Sequence, residues 1–373
     1  MNNFYDFIVI GAGISACTFA VSVNKRFPNA SILLVEQGRR IGGRSTTRLS
    51  RKNKILEYDH GLPSINFSNN ISRDLASIIS PLIKSKVLID ITNDILLINE
   101  RGDIDQTLVN EKFYRCLPFM FSFCNEMINQ SRNRSKIDFL FQTFTQSVIR
   151  KDGLWQIKVN HKRLIRSKNL ILSSSLLAHP RCLEILQIDS LPLRLAFKNG
   201  EDIIVDSLLK KITFQKYIKR KNYILYVPNS EIVKNFNHQY LQIFFSDSIK
   251  EYFNFERIIF QRQLDRSMII VLHCYYTHGF FDISFDTIIQ TLIRIFFKHK
   301  KFLDLYLNAQ YFDKMDWRAS QPISNLLPKD LQWSSASKIG FCGDWFEAGN
   351  CGKAEAAMLS SIRLTKLLTR NNY

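Results

Sequence analysis

The stretch that most constrains this chain lies near its start. Residues 4–10, FYDFIVI, form an almost unbroken apolar run. Gly11-Ala12-Gly13-Ile14-Ser15-Ala16 follows at once. A short continuous apolar run fits a strand buried on both faces. Residues 14–27 can form a helix that Pro28 and Asn29 stop, and residues 30–36, ASILLVE, read as a second strand. Strand, glycine turn, helix and strand together predict a βαβ unit of the kind that opens a doubly wound sheet. The other readings of an N-terminal apolar stretch fit less well. Gly11 and Gly13 break it before it reaches the roughly 20 apolar residues of a membrane span. MNNFYD carries no basic leader, so no secretory signal is expected.

Each position of the turn has a physical reason. Gly11 permits the tight bend, and Gly13 lets a pyrophosphate approach the backbone. Ala16 is small enough for the helix to pack on the strand. The N–H groups around Ile14 and Ser15 then present the positive end of a helix to phosphate. Glu36 ends the second strand, 20 residues after Ala16, where a carboxylate can accept hydrogen bonds from an adenosine ribose. The expectation is dinucleotide binding.

Glycine usage maps the rest. Six of the 14 glycines lie at or before Gly61 and four between Gly340 and Gly352, so the two chain ends read as one site. The middle reads as packed structure: helices over 72–89 and 109–130, a hairpin over 146–160, and a buried strand over 169–175. Strand-like runs follow between 190 and 310, with a helix near 285–299. KIGFCGDW (338–345) reads as a strand entering a loop, and residues 353–368 as a final helix.

Composition narrows the class. Hydrophobic residues make up 46% of 373, enough for a sizeable core. Seven cysteines at irregular spacing, with no CxxC, argue against a disulfide framework or a metal site and for a reducing, cytoplasmic compartment. The formal net charge of +18 is scattered rather than gathered, and no nucleic-acid motif accompanies it. A nucleic-acid or membrane-surface protein remains the third reading, and a phosphate-bearing cofactor also suits the charge.

After Glu36 the chain continues Gln37-Gly38-Arg39-Arg40-Ile41-Gly42-Gly43-Arg44, and later Asp59-His60-Gly61. Near its end stand Cys342-Gly343-Asp344-Trp345-Phe346, then Gly349, Cys351, Gly352 and Lys353-Ala354-Glu355-Ala356-Ala357. These segments resemble the FAD-dependent amine oxidase and renalase-like NAD(P)/FAD-dependent oxidoreductases. Trp317-Arg318-Ala319 is similar to a Trp-Arg segment of the same group.

The resemblance implies an α/β fold: a Rossmann-type FAD-binding domain (1–67, 135–190 and 312–373) with an inserted α+β substrate domain (68–134 and 191–311). It implies FAD as cofactor, held by Gly11, Gly13, Ile14, Ser15, Ala16, Glu36, Gln37, Gly43, Arg44, His60, Gly61, Val148, Gly343, Asp344, Ala354, Glu355 and Ala356. Arg44 would lie along the phosphates and Asp344 would hydrogen-bond the ribityl or phosphate side. Val148 would meet adenine through its backbone. His60 would be the one candidate for a direct chemical role.

The activity implied is removal of a hydride from a small donor, a reduced nicotinamide species or an amine, with electrons passed on to dioxygen or another acceptor. A desaturase-like enzyme acting on an apolar substrate and a non-catalytic flavin-binding protein are the alternatives. The latter is motivated by LPSINF (62–67), which lacks the group's Gln-Tyr pair. A thioether to Cys351 is conceivable, a small buried residue the simpler reading.

Overall fold

The computed structural model describes residues 3–50, 55–106, 111–159, 163–276, 281–348 and 353–370. Its two main sheets meet around one cavity.

The first sheet grows from the N-terminal run. Strand β1 (Phe4–Ile10) leads into helix α1 (Ile14–Arg26) and strand β2 (Ile32–Val35). β1 pairs in parallel with β2 on one side and with Arg163–Leu172 on the other, and Ile137–Leu140 adds in parallel beyond β2. Arg163–Leu172 is shared: its first half pairs with the hairpin Thr145–Lys151 and Leu154–Val159, its last residues with Ile339–Phe341.

A parallel sheet must be covered on both faces, and the side chains of β1 and β2 alternate between two cores. Phe7, Val9, Ile32 and Leu34 pack with α1, the helices Arg73–Lys84 and Phe121–Asn129, and the C-terminal helix Ala354–Arg370. Tyr5, Ile8, Leu33 and Val35 pack with Trp155, Ile157, Leu208 and Phe341 on the other face.

The second sheet has the order Gln310–Ser324, Lys216–Val227, Met268–Tyr276, Phe255–Arg262, Tyr240–Phe245, Ile95–Ile98 and Ile104–Gln106. One face packs on the helices Phe285–Ile295 and Lys300–Leu307 through Leu225, Leu272, Phe260, Leu292 and Leu305. The other carries a smaller apolar cluster, with Ile224, Val271 and Ile259 against Leu56 and Tyr58. Farther along that same face its residues turn polar, and there it walls the cavity.

Several expected elements shift. The helix over 109–130 is half right. Glu111–Cys116 is a strand between Ile65–Ser68 and Leu88–Asp90, and helix begins only at Phe121. Pro118, which lacks an N–H, separates the two. Two neighbouring strands offer EKFYRC a ladder that overrides its helical pattern. The helix near 285–299 ends at Ile295, and a second begins at Lys300.

Segments far apart in the chain share each layer. Helix Ile203–Ile212 buries Val205, Leu208, Leu209 and Ile212 in the first sheet's core, while Gln310–Ser324 belongs to the second sheet. The apolar face of a helix goes wherever a complementary core is open, which local pattern does not disclose.

Candidate functional site

The glycine turn is built as its sequence predicts. Gly11 has φ +107°, and a Cβ there would lie 2.5 Å from Ser173 Oγ. Its N–H donates to Val35 O at 2.7 Å. The doublet packs against this turn: Gly42 N donates to Ala12 O at 2.8 Å, and a Cβ on Gly43 would come 3.1 Å from Gly13 Cα. No side chain caps α1, and no acid stands in its first turn. Gly13, Ile14 and Ser15 therefore present the positive end of a helix to the cavity. This donor set, with glycines where side chains would fill the cradle, fits the diphosphate of a dinucleotide.

Glu36 lies beside that turn with both carboxylate oxygens engaged. Oε2 accepts from Ala12 N at 3.0 Å and Oε1 from Gly38 N at 2.7 Å. The carboxylate thus ties the two glycine segments together. Each oxygen keeps a lone pair for a ribose hydroxyl.

The C-terminal residues join the same cavity, from the end of a strand in the same sheet. Gly343 has φ +149°, and a Cβ there would fall 2.0 Å from Trp345 Nε1. Its N–H donates to Ser360 Oγ at 3.1 Å. Asp344, expected at the ribityl or phosphate side of a ligand, accepts two hydrogen bonds from Arg44, both at 2.7 Å. Arg44 also donates to Ser320 O at 2.6 Å. Two opposite charges on one cavity wall satisfy each other before either meets a ligand. The pair joins residues 300 positions apart, so the site is a product of both chain ends.

Other expected residues stand back from the cavity. His60 is 2% exposed and stacks on Trp317, with centroids 5.6 Å apart and planes at 24°. Trp317, not His60, forms the wall. Burial, with Arg48 nearby, pushes the His60 imidazole down to about 4, so it is neutral near pH 7. Its carbonyl accepts from Asn222 Nδ2. Val148 is buried in the hairpin core, and Thr143, Phe144 and Thr145 line the cavity in its stead.

Ala16 and Ala356 are likewise buried in the packing beneath the site. Glu355 turns toward the strand Ile65–Ser68, accepting from Ser68 N at 3.0 Å and Ser68 Oγ at 2.6 Å. Gln37, Gly43, Gly61 and Ala354 do line the cavity. Gly349, Cys351 and Gly352 lie outside the described residues.

The cavity measures about 520 Å³, within the range of small-molecule and cofactor sites. Its wall includes residues the sequence pattern did not single out: Arg181, Tyr217, Arg220, Asn222, Arg257 and His273. Only the serines after the strand at 169–172 gave an advance signal, as small polar residues at a strand's end. Arg181 opens the helix Arg181–Leu186, and the rest sit in strands whose alternation reads as ordinary half-buried sheet.

A family model for the NAD(P)-binding Rossmann-like domain matches residues 9–79. No curated protein sequence matches the chain. Solved structures resemble it over nearly its whole length. Wild-type putrescine oxidase bound to putrescine aligns with TM-score 0.63 at 10% identity, covering 98% of this chain and 99% of that one. A conjugated-linoleic-acid-producing fatty acid isomerase from P. acnes aligns with TM-score 0.60 at 10% identity, covering 99% of each chain. A protein from Exiguobacterium sp. 255-15, provisionally named a protoporphyrinogen oxidase, gives TM-score 0.60 at 9% identity, over 98% and 99%. The likeness establishes an α/β fold with a Rossmann-type dinucleotide-binding domain, and shows that the same architecture serves proteins named for different reactions.

Proposed function

We propose that the chain is an FAD-dependent oxidoreductase. One observation carries the reading. The glycine turn, Glu36 and the Gly42-Gly43 doublet line one cavity together with Gly343, Asp344 and Ala354 from the other chain end. Gly11, Gly13, Ile14 and Ser15 would hold the diphosphate, and Glu36 the ribose. Arg44 and Asp344 would act as a pair, the guanidinium offering charge and the carboxylate an acceptor. The chemistry FAD supplies when bound is two-electron acceptance from a donor and return of those electrons to dioxygen or another acceptor.

The chain's own residues do the rest. The N-terminus of helix Ala354–Arg370 favours negative charge in this cavity. Lys353 beside it is held by Glu111, at 2.9 and 3.0 Å to the two carboxylate oxygens. Trp317, backed by His60, offers a flat apolar surface that keeps water away. The resemblance to renalase-like proteins favours a reduced nicotinamide species as donor. The likeness to a putrescine-bound oxidase keeps an amine beside it.

The absorption spectrum of the purified full chain is the first test: a flavin band is expected. A colourless protein after incubation with excess FAD would overturn the reading. Anaerobic mixing with reduced nicotinamides and amines is expected to bleach that band. A flavin that none of these donors reduces would leave FAD binding and remove the oxidoreductase assignment for them.

A further inference from the structure

The cavity wall contributed by the second sheet is a built polar row. Asn222, His273 and Arg257 lie directly opposite one another on three adjacent strands, so they share one face. All three line the cavity. A bulge between Phe255 and Arg257 sets Glu256 beside the row as well. Glu256 is already claimed. It accepts from Arg220 Nε at 2.6 Å and Nη2 at 2.9 Å, while Arg220 Nη1 donates to Ser320 Oγ at 2.7 Å.

Arg257 reaches Glu256 only at 3.3 Å, and its buried Nε meets no partner among the described residues. Two guanidiniums therefore face one carboxylate, leaving one positive charge in excess. His273, 2% exposed, has no hydrogen-bond partner at either ring nitrogen among the described residues. Asn222 is anchored on the His60 carbonyl, and its Oδ1 also meets no partner among the described residues.

Buried polar groups are rarely left unmet without a role. We propose that this row is a subsite for a carboxylate on the donor, taking one carboxylate oxygen at the Arg257 guanidinium and the other at the His273 N–H. The proposal rests on the FAD reading for what the carboxylate is presented to, and on the row alone for the recognition. A carboxylate neutralises the excess guanidinium and supplies acceptors to both donors at once. An ammonium would meet like charge. A neutral amide would leave the charge uncompensated. Burial, reinforced by Arg257, holds His273 well below the usual imidazole range, so it is neutral and keeps one N–H to donate. The bland role for Arg257 is packing on the Phe244 ring, 5.2 Å from its centroid.

The test is calorimetric titration of benzoate, octanoate, benzamide and benzylamine into the full chain, with and without added FAD, alongside its absorption spectrum. Both carboxylates are expected to bind, with benzamide and benzylamine about 10- to 100-fold weaker, the scale of a charge-assisted contact. Arg257→Met should weaken benzoate by a similar factor and Arg257→Lys by less. Failure of both carboxylates to bind, or equal binding of benzylamine, would overturn the subsite using wild-type protein alone. A flavin band with no carboxylate preference removes only this subsite, and carboxylate binding without a flavin band removes only the FAD reading.

Discussion

The two walls of the cavity are made differently. The first-sheet wall is mainly backbone: glycines at Gly11, Gly13, Gly42 and Gly43, the opening turn of α1, and one carboxylate that holds two of its N–H groups. The second-sheet wall is side chains: Arg220, Asn222, Arg257, His273 and Trp317, drawn from four strands. A diphosphate is the same in every dinucleotide, so a backbone cradle suffices for it. A donor varies, and its recognition falls to side chains that can change without disturbing the fold. The backbone wall should therefore be brittle to added atoms, and the side-chain wall sensitive to charge and pH.

The largest expected effect breaks the backbone wall. Gly11→Val forces a β-branched residue to φ +107° and sets a Cβ 2.5 Å from Ser173 Oγ. The cost should be at least about 3 kcal/mol. Protein that still folds should lose its flavin on gel filtration, and retention at the wild-type level would refute the cradle. Next comes the link between the chain ends. Removing Arg44 leaves Asp344, with a side chain only 7% exposed, without its counter-charge. Arg44 itself is 44% exposed, so Arg44→Met should cost about 1–2 kcal/mol in urea unfolding rather than the larger penalty of a fully buried pair. The double variant Arg44→Met/Asp344→Asn should cost less than the sum of the two single changes.

A third prediction separates the walls by pH. Asp59 ties the N-terminal segment to the second sheet through Gln261. Burial raises its carboxyl to about 6, against the lowering pull of Thr47, Met120 N–H and Arg115. Between the ordinary carboxylate range and 6 the folded chain binds more protons than the unfolded one. Asp59's contribution is thus greatest below about pH 4 and falls as pH rises toward 6. Asp59→Asn keeps the acceptor for Thr47 and should flatten that segment of the stability–pH curve by about 2–3 kcal/mol. An unchanged curve would count against it. The smallest effect sharpens the second wall. His60→Phe preserves the stack on Trp317 and should change donor-driven bleaching by no more than about twofold, since buried His60 exchanges no proton near neutral pH. A much larger loss of rate would restore a chemical role to it.

The backbone wall was legible residue by residue because its cause is local. A glycine is needed where φ is positive or where backbone must come close, a small residue where a helix meets a strand, and an acid where a strand ends beside the turn. Gly11, Gly13, Glu36, Gly43, Gly343 and Ala354 all reached the cavity for such reasons. His60 and Glu355 did not, because a polar side chain at a turn or a helix start can face either way, and packing chose burial against Trp317 and Ser68. Arg44 and Asp344 were each expected at a ligand, but no spacing in the chain could announce that they reach one another.

By itself, the sequence determined the βαβ start and the joining of the chain's two ends at one cavity. Both are matters of backbone geometry carried by neighbouring residues. Tertiary structure alone decided that EKFYRC became a strand, that helix Ile203–Ile212 serves the first sheet, and that Asn222, His273 and Arg257 stand in one row. Strand register and the choice of packing partner are set by contacts between segments far apart in the chain, and the energies that decide them do not reside in any one segment.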